Sequence, residues 1–205
     1  MTSDPNASSP DRSDAGATLL TDEQSLVAAI NEEVRLRAHD PAWALAFDLE
    51  RARLRALSPG TFLCIEHIGS TAVAGLPAKP IIDILAGVAS LEGVDVLIDR
   101  LCGSGYTASM EFNATLTDRK WLMRWRAGHR THHLHIVEFG GVPWHDRLAF
   151  RDALRSDPAT ARRYAELKAD LAAKHASDRE AYANAKAEFV RTVVATVSTD
   201  CRADR

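Results

Sequence analysis

Cysteine is scarce in this chain: Cys64, Cys102 and Cys201 are the only three among 205 residues. Their number is odd and no two form a Cys-x-x-Cys pair. That argues against a disulfide framework or a zinc knuckle and points to a reducing cytoplasm. No apolar run approaches the roughly 18–20 residues that cross a bilayer, so no membrane association is expected. The opening residues lack a basic segment followed by an apolar core, and so do not read as a secretory signal. An excess of positive charge is also missing. The net charge of −3 argues against a protein that coats nucleic acid.

What is present fits one packed domain. The apolar fraction is 46% and the charged fraction 26%, within the range of globular chains. The Ser, Asp, Pro and Ala of residues 1–20 bury too little apolar surface to offset their ordering entropy, and a disordered tail is expected there. Residues 21–197 form the expected domain, and 198–205 a frayed terminus.

Within the domain, Thr21 and the acids after it open a helix over 22–31. Val34 to Leu36 reads as a short edge strand. Asp40-Pro41 starts a helix that runs to 57. Strands are expected at Phe62–Ile68, Ile81–Val88, Tyr106–Met110, Trp121–Trp125 and His133–Phe139. A helix is expected over Ser90–Gly105, a loop over Asn113–Lys120 and a turn over Ala127–Arg130. The last third is helical, with starts at His145, at Asp157-Pro158 and at Asp178, the final helix reaching Val197. The fold class is therefore α+β: a small mixed sheet flanked by helices, with a helical C-terminal third.

The chain is organised around the stretch from Cys64 to Leu85. An apolar strand ends at Gly69-Ser70, and a second apolar strand, Ile81-Ile82-Asp83-Ile84-Leu85, carries one acid. A carboxylate in such a run needs a hydrogen bond, a cation or a metal. Gly69-Ser70 is either an ordinary turn or a phosphate cradle of backbone N–H groups and a hydroxyl. Asp83 either pairs with Lys79 or an arginine, or holds a divalent cation against phosphates. His133 and His135 share one strand face, as metal ligands or as a half-exposed polar face, while Leu134, Ile136 and Glu138 share the other. His67, beside Glu66, is a candidate for orienting a phosphate or a proton. Arg151 either points toward phosphates or pairs with Asp152. Lys168 and Lys186 read as solvated lysines.

Taken together, several of these segments match one family. They are Ile65-Glu66-His67-Ile68-Gly69-Ser70-Thr71-Ala72-Val73, Lys79-Pro80-Ile81-Ile82-Asp83-Ile84-Leu85 and His133-Leu134-His135-Ile136-Val137-Glu138. Leu148-Ala149-Phe150-Arg151-Asp152-Ala153-Leu154-Arg155, Tyr164-Ala165-Glu166-Leu167-Lys168 and the Tyr182, Lys186, Phe189 spacing match as well. The chain resembles the GrpB-like family over about residues 33–192. That family is classed among predicted nucleotidyltransferases of the polymerase-β-like superfold. A related segment is fused behind a dephospho-CoA kinase in some bacteria, as an accessory domain.

The resemblance implies a sheet of nucleotidyltransferase type and transfer of a nucleotidyl group from an NTP to a small-molecule acceptor. It implies Asp83 and Glu138 as catalytic acids and ligands of Mg²⁺ or Mn²⁺. Gly69, Ser70, Thr71, Lys79 and Arg151 would bind phosphate, and His67, His133 and His135 would line the acceptor side. Ser70 and Asp83 stand at the superfamily's spacing, but Leu85 occupies the place of its second acid. Two further readings stand beside transfer. One is a non-catalytic nucleotide- or partner-binding module, and the other a His-centred hydrolase holding Zn or Mn.

Overall fold

The computed structural model describes residues 21–176 and 178–203; the tail expected over 1–20 and the final residues 204 and 205 lie outside the described residues. Thr21 opens helix α1 (Asp22–Asn31) with a capping box: its hydroxyl accepts from the Gln24 N–H and the Gln24 side chain accepts from the Thr21 N–H. Asp40 Oδ1 accepts from the Ala42 N–H at 2.9 Å, and helix α2 (Ala42–Leu57) follows Pro41. Strand β1 (Cys64–Ile68) leads through a 3-10 turn (Ser70–Ala72) to β2 (Ile82–Val88). Then come α3 (Asp95–Cys102), β3 (Tyr106–Thr107), α4 (Met110–Thr115), β4 (Lys120–Arg126) and β5 (His129–Glu138). Helices α5 (Val142–Ser156), α6 (Pro158–Lys174), α7 (Arg179–Ala185) and α8 (Ala187–Ala203) complete the chain.

The five strands form one mixed sheet in the order β1-β2-β5-β4-β3. Neighbours are antiparallel except at the centre, where β2 and β5 run parallel and place Asp83 opposite His133 and Leu85 opposite His135. Because side chains alternate along a strand, one face presents Ile82, Ile84, Ala86, Leu134 and Ile136. These pack on Trp43, Phe47 and Leu54 of α2 and on Leu97, Ile98 and Leu101 of α3. Each such buried chain contributes about 1.5–3 kcal/mol. Glu50 is 4% exposed on this inner side of α2. It accepts from Arg53 Nη1 at 2.7 Å, Arg124 Nη1 at 2.5 Å and the Tyr106 hydroxyl at 2.8 Å, so its charge is buried with partners.

The other face is covered unevenly. Leu85 and Val137 pack with Ile68 under Trp144 of α5. Beside them stand Asp83, His133 and His135, beneath residues of α6 and α7. Those helices are anchored by two small clusters, Val73, Leu76 and Leu154 around Tyr164, and Val34 and Leu171 around Tyr182.

Five local expectations change. Val34–Leu36 forms no strand; the segment makes one bridge, Arg37 to Ala78. Helix α3 begins at Asp95 rather than Ser90, after a turn in which Gly93 has φ 70°. Ser109 accepts from the Phe112 N–H and caps the six-residue α4, in place of the expected end of a strand and start of a loop. The β4–β5 turn needs only Ala127 and Gly128, both at positive φ (48° and 78°), as a two-residue hairpin requires. Strand β5 therefore starts four residues before His133. The final helix is broken at Lys186 into α7 and α8.

Candidate functional site

Gly69 closes β1 with φ 71° and ψ −172°, a conformation open essentially to glycine alone. It also admits a neighbour. A Cβ at this position would lie 2.3 Å from Asp83 Oδ2, so the carboxylate rests directly on the backbone of the turn. The next residue, Ser70, accepts from Lys168 Nζ at 2.9 Å, and the same ammonium donates to the Pro77 carbonyl.

Asp83 Oδ1 lies 3.0 Å from His133 Nδ1. Burial alone would raise the Asp83 carboxyl. The interaction with His133, its hydrogen bond first, together with smaller contributions from His135 and Lys79, outweighs it and holds the group below its usual range. Burial lowers His133 despite Asp83, and burial followed by Arg147 lowers His135 to about 3. Both rings are thus neutral near pH 7. A neutral His133 that donates its Nδ1–H to a carboxylate keeps Nε2 as an acceptor. His133 Nε2 and His135 Nδ1 are both buried without a hydrogen-bond partner among the described residues. The Trp121 ring packs against His133 at 5.3 Å between centroids.

The roof of the site is made of tyrosines and lysines spaced one helical turn apart. Lys168, 2% exposed, places Nζ 4.9 Å from the centroid of Tyr164. Lys186 Nζ lies 4.1 Å from the Tyr182 ring and Lys79 Nζ 4.9 Å from it. Such cation–π contacts hold an ammonium in place and favour its charged form. Burial, then repulsion from Lys186, lowers Lys168 to about 7. Burial lowers Lys186 to about 8 against the pull of Asp83. The cleft enclosed in this way has a volume of about 370 Å³ and is lined by Gly69, Ser70, Lys79, Asp83, His133 and Lys186 among others. A second cavity of about 570 Å³ shares Gly69, Asp83 and His135 and extends to Arg147 of α5 and Arg191 of α8.

Seven of the residues singled out in the sequence therefore meet: Gly69, Ser70, Thr71, Lys79, Asp83, His133 and His135. Three others do different work. Glu138 pairs with Val88, five residues along the strand from the Asp83–His133 pair, roughly 17 Å at the strand rise. It is exposed, its side chain follows the opposite alternation, and Oε1 accepts from the Leu91 N–H. Glu138 is thus no partner ligand for Asp83.

Arg151 does not reach the cleft. It bonds Glu66 Oε2 at 2.8 Å, the His67 carbonyl at 3.1 Å and Asp152 Oδ1 at 2.7 Å, fastening α5 to β1. His67 lies on the core face, stacked on Phe47 at 4.7 Å, and burial lowers it to about 4. The Thr71 hydroxyl sits between His67 Nε2 at 3.0 Å and the Ile81 carbonyl at 3.3 Å. His67 therefore braces the turn from behind, and Thr71 lines the cleft with its hydroxyl already held. Conversely, Lys168 and Lys186 are site residues rather than solvated ones. The signal for them was the repeated Tyr-x-x-x-Lys spacing, which stacks a cation on a ring one turn away.

The donor set does not fit a magnesium or manganese ion held by protein ligands. Hard dications need several oxygens. Among the described residues no group of three or more His, Cys, Asp or Glu side chains is placed to hold a metal. Asp83 stands among ammonium groups, with Oδ1 bonded to His133 and Oδ2 against Gly69. Leu85, at the second acid's place, is fully buried in the Trp144 cluster, so no carboxylate fits there. A zinc site built on the histidines lacks ligands rather than a free nitrogen: His133 Nε2 and His135 Nδ1 are unpartnered, but no third His, Cys, Asp or Glu among the described residues is placed to complete the set.

A family model described as "GrpB protein" matches residues 33–196. The chain is 36% identical to the "Glutamate-rich protein GrpB" of Alkalihalophilus pseudofirmus over 79% of its own length and 94% of that protein's. It is also 36% identical to the "UPF0157 protein YqkA" of Bacillus subtilis, over 78% of its length but only 46% of the relative's. A "Dephospho-CoA kinase" of Mycolicibacterium paratuberculosis matches at 29% identity over 77% of the chain and 44% of the kinase. Among solved structures, the "conserved protein GrpB from Enterococcus faecalis" matches with a TM-score of 0.72 and 35% identity, covering 81% of this chain and 98% of that one.

Proposed function

The chain belongs to the GrpB protein family, and on that premise we propose that its cleft binds the phosphates of a nucleotide and presents them to a small-molecule acceptor. The observation that carries this reading is the Gly69-Ser70 turn lying against Asp83 beneath Lys79, Lys168 and Lys186. Ser70 and the three lysines supply donors and positive charge to the β- and γ-phosphates. His133 and His135 line the acceptor side. In the transfer step the acceptor hydroxyl oxygen attacks the α-phosphorus and the bond to the bridging oxygen breaks. Pyrophosphate leaves, and His133 Nε2 takes the hydroxyl proton. Asp83 acts there by fixing the tautomer that leaves Nε2 free to accept. A cytoplasmic setting belongs to the same proposal.

Calorimetry with each NTP, with and without Mg²⁺, tests the binding. Ser70→Ala should weaken whatever nucleotide binds; the absence of binding by any of them would overturn the reading.

A second reading has its own support. Leu85 removes the second acid, and the dephospho-CoA kinase match embeds a similar segment in a longer protein. Both suit a non-catalytic nucleotide- or partner-binding module. Labelled nucleotide incubated with a metabolite mixture separates the two, since only a transferase yields a labelled adduct.

A further inference from the structure

We propose that Lys79, Lys168 and Lys186 stand where a nucleotidyl-transfer site would hold metal ions, so that the cleft takes a free polyphosphate rather than its magnesium complex. The inference rests on the phosphate-binding reading and adds the ionic form of the ligand. It starts from a mismatch. A site that captures a metal–phosphate complex needs carboxylates to hold the ion. Here one carboxylate faces the cleft with the ammonium groups of Lys79 and Lys186, and a third, that of Lys168, is buried behind Ser70 and bonded to its hydroxyl.

That one carboxylate is engaged through Oδ1 to His133 Nδ1 at 3.0 Å, while Oδ2 lies in contact with the Gly69 backbone. The place of the second acid is filled by Leu85, which has no exposure and packs with Ile68, Val137 and Trp144. A dication entering here would meet repulsion from the lysines and find too few oxygens.

The lysines, by contrast, are placed before any ligand arrives. The Lys168 ammonium is fixed by Ser70 and the Pro77 carbonyl. Two of its three protons are thereby engaged, and a third remains to donate. Lys79 and Lys186 bracket the ring of Tyr182. Point charges held over aromatic rings suit phosphate oxygens without a demand for octahedral geometry. A polyphosphate stripped of magnesium carries more negative charge, and is the better match for a cleft whose walls are mostly positive. Burial also depresses Lys168 and Lys186; an anion of high charge density relieves that penalty and a neutralised one relieves less of it.

The experiment uses the full chain and sodium pyrophosphate as the probe, with ATP in parallel. Each is titrated calorimetrically in EDTA and again with Mg²⁺ in excess. Binding in EDTA, about tenfold or more tighter than with Mg²⁺, is the expected result. Lys186→Met should weaken the EDTA binding by about tenfold or more, and Lys186→Arg should keep most of it. Binding that appears only with Mg²⁺ overturns this inference and leaves the phosphate-binding reading standing. Equal affinity of Lys186→Met and the native chain in EDTA also overturns it. Absence of binding by both probes under both conditions overturns the two together. The comparison of EDTA with Mg²⁺ is made on the native protein, so it holds even if a variant fails to fold.

Discussion

Gly69 and Asp83 are in direct contact, so close that a methyl group on Gly69 would stand 2.3 Å from Asp83 Oδ2. Gly69→Ala therefore meets two obstacles, the clash and a backbone conformation that disfavours any side chain by about 1–3 kcal/mol. Gly75 is the internal comparison, since its φ is 76° but nothing lies within 4 Å of its added Cβ. Urea unfolding should show Gly69→Ala more destabilised than Gly75→Ala. Equal losses would mean that Asp83 moves aside freely.

Lys168→Met should leave the fold as stable at pH 7 as the native chain or stabilise it by about 1–3 kcal/mol, because an apolar chain of similar length replaces a desolvated charge. The same substitution should weaken phosphate binding. The native chain adds a pH signature. Lys168 falls from 10.5 to about 7 on folding, so between those values the unfolded state binds more protons. Native stability should then rise as pH increases from 7 toward 10. Chemical denaturation across that range checks it, and a rise of equal size in Lys168→Met would assign the effect to other groups.

Polyphosphate binding at pH 8 should take up protons. At that pH Lys168, at about 7, is mostly neutral and Lys186, at about 8, is half charged; a bound anion raises both. Titration in two buffers of different ionisation enthalpy should report uptake of roughly one proton per ligand. Identical heats in both buffers would count against lysines as the binding groups.

Acid should unfold the protein through its buried histidines. His67 is lowered from 6.5 to about 4 by burial. Between these values the unfolded chain binds the extra proton, so the stability conferred by neutral His67 is present above 6.5 and is lost as pH falls toward 4. The shift corresponds to roughly 3 kcal/mol. Urea midpoints measured from pH 7 to 4 should fall, and His67→Gln should reduce the slope.

Glu50→Gln tests the opposite side of the sheet. It leaves Arg53 and Arg124 beside a neutral group in a buried setting, where breaking such a network costs about 3–5 kcal/mol. Thermal unfolding should show the loss, while the folded variant binds pyrophosphate like the native chain. A matching loss of affinity would mean that the two faces are coupled.

Strand alternation carried much of the site in the sequence itself. A period of two places Asp83 on the face opposite Ile82 and Ile84, and joins His133 to His135. The same period sets Glu138 against the two histidines, while its distance from Asp83 depends on the parallel register of β2 and β5, which no local pattern encodes. For Lys168 the Tyr-x-x-x-Lys spacing was a weak signal set against a strong prior. Lysine is rarely buried, and only the arrival of Ser70 and Pro77 from a distant segment makes burial tolerable. His67 and Arg151 were hidden by their partners, since neither Phe47 nor Glu66 marks a neighbour in sequence as a contact in space. The turn over Ala127–Arg130 is read two residues too long because its first residue is not one of those that favour positive φ in a two-residue hairpin.

The parallel seam between β2 and β5 also sets an order of assembly. The β1–β2 and β4–β5 pairs join strands close in sequence and can close early, whereas the seam unites Asp83 with His133 across a separation of 50 residues and Lys168 reaches Ser70 across 98. Pairings of such long range pay their loop-closure entropy before they gain contacts, and so form slowly. A chain emerging from the ribosome thus holds its acid and its glycine turn well before the helices that bring the lysines. The cleft exists only in the finished fold, and a nucleotide captured there would select completed molecules over partly assembled ones.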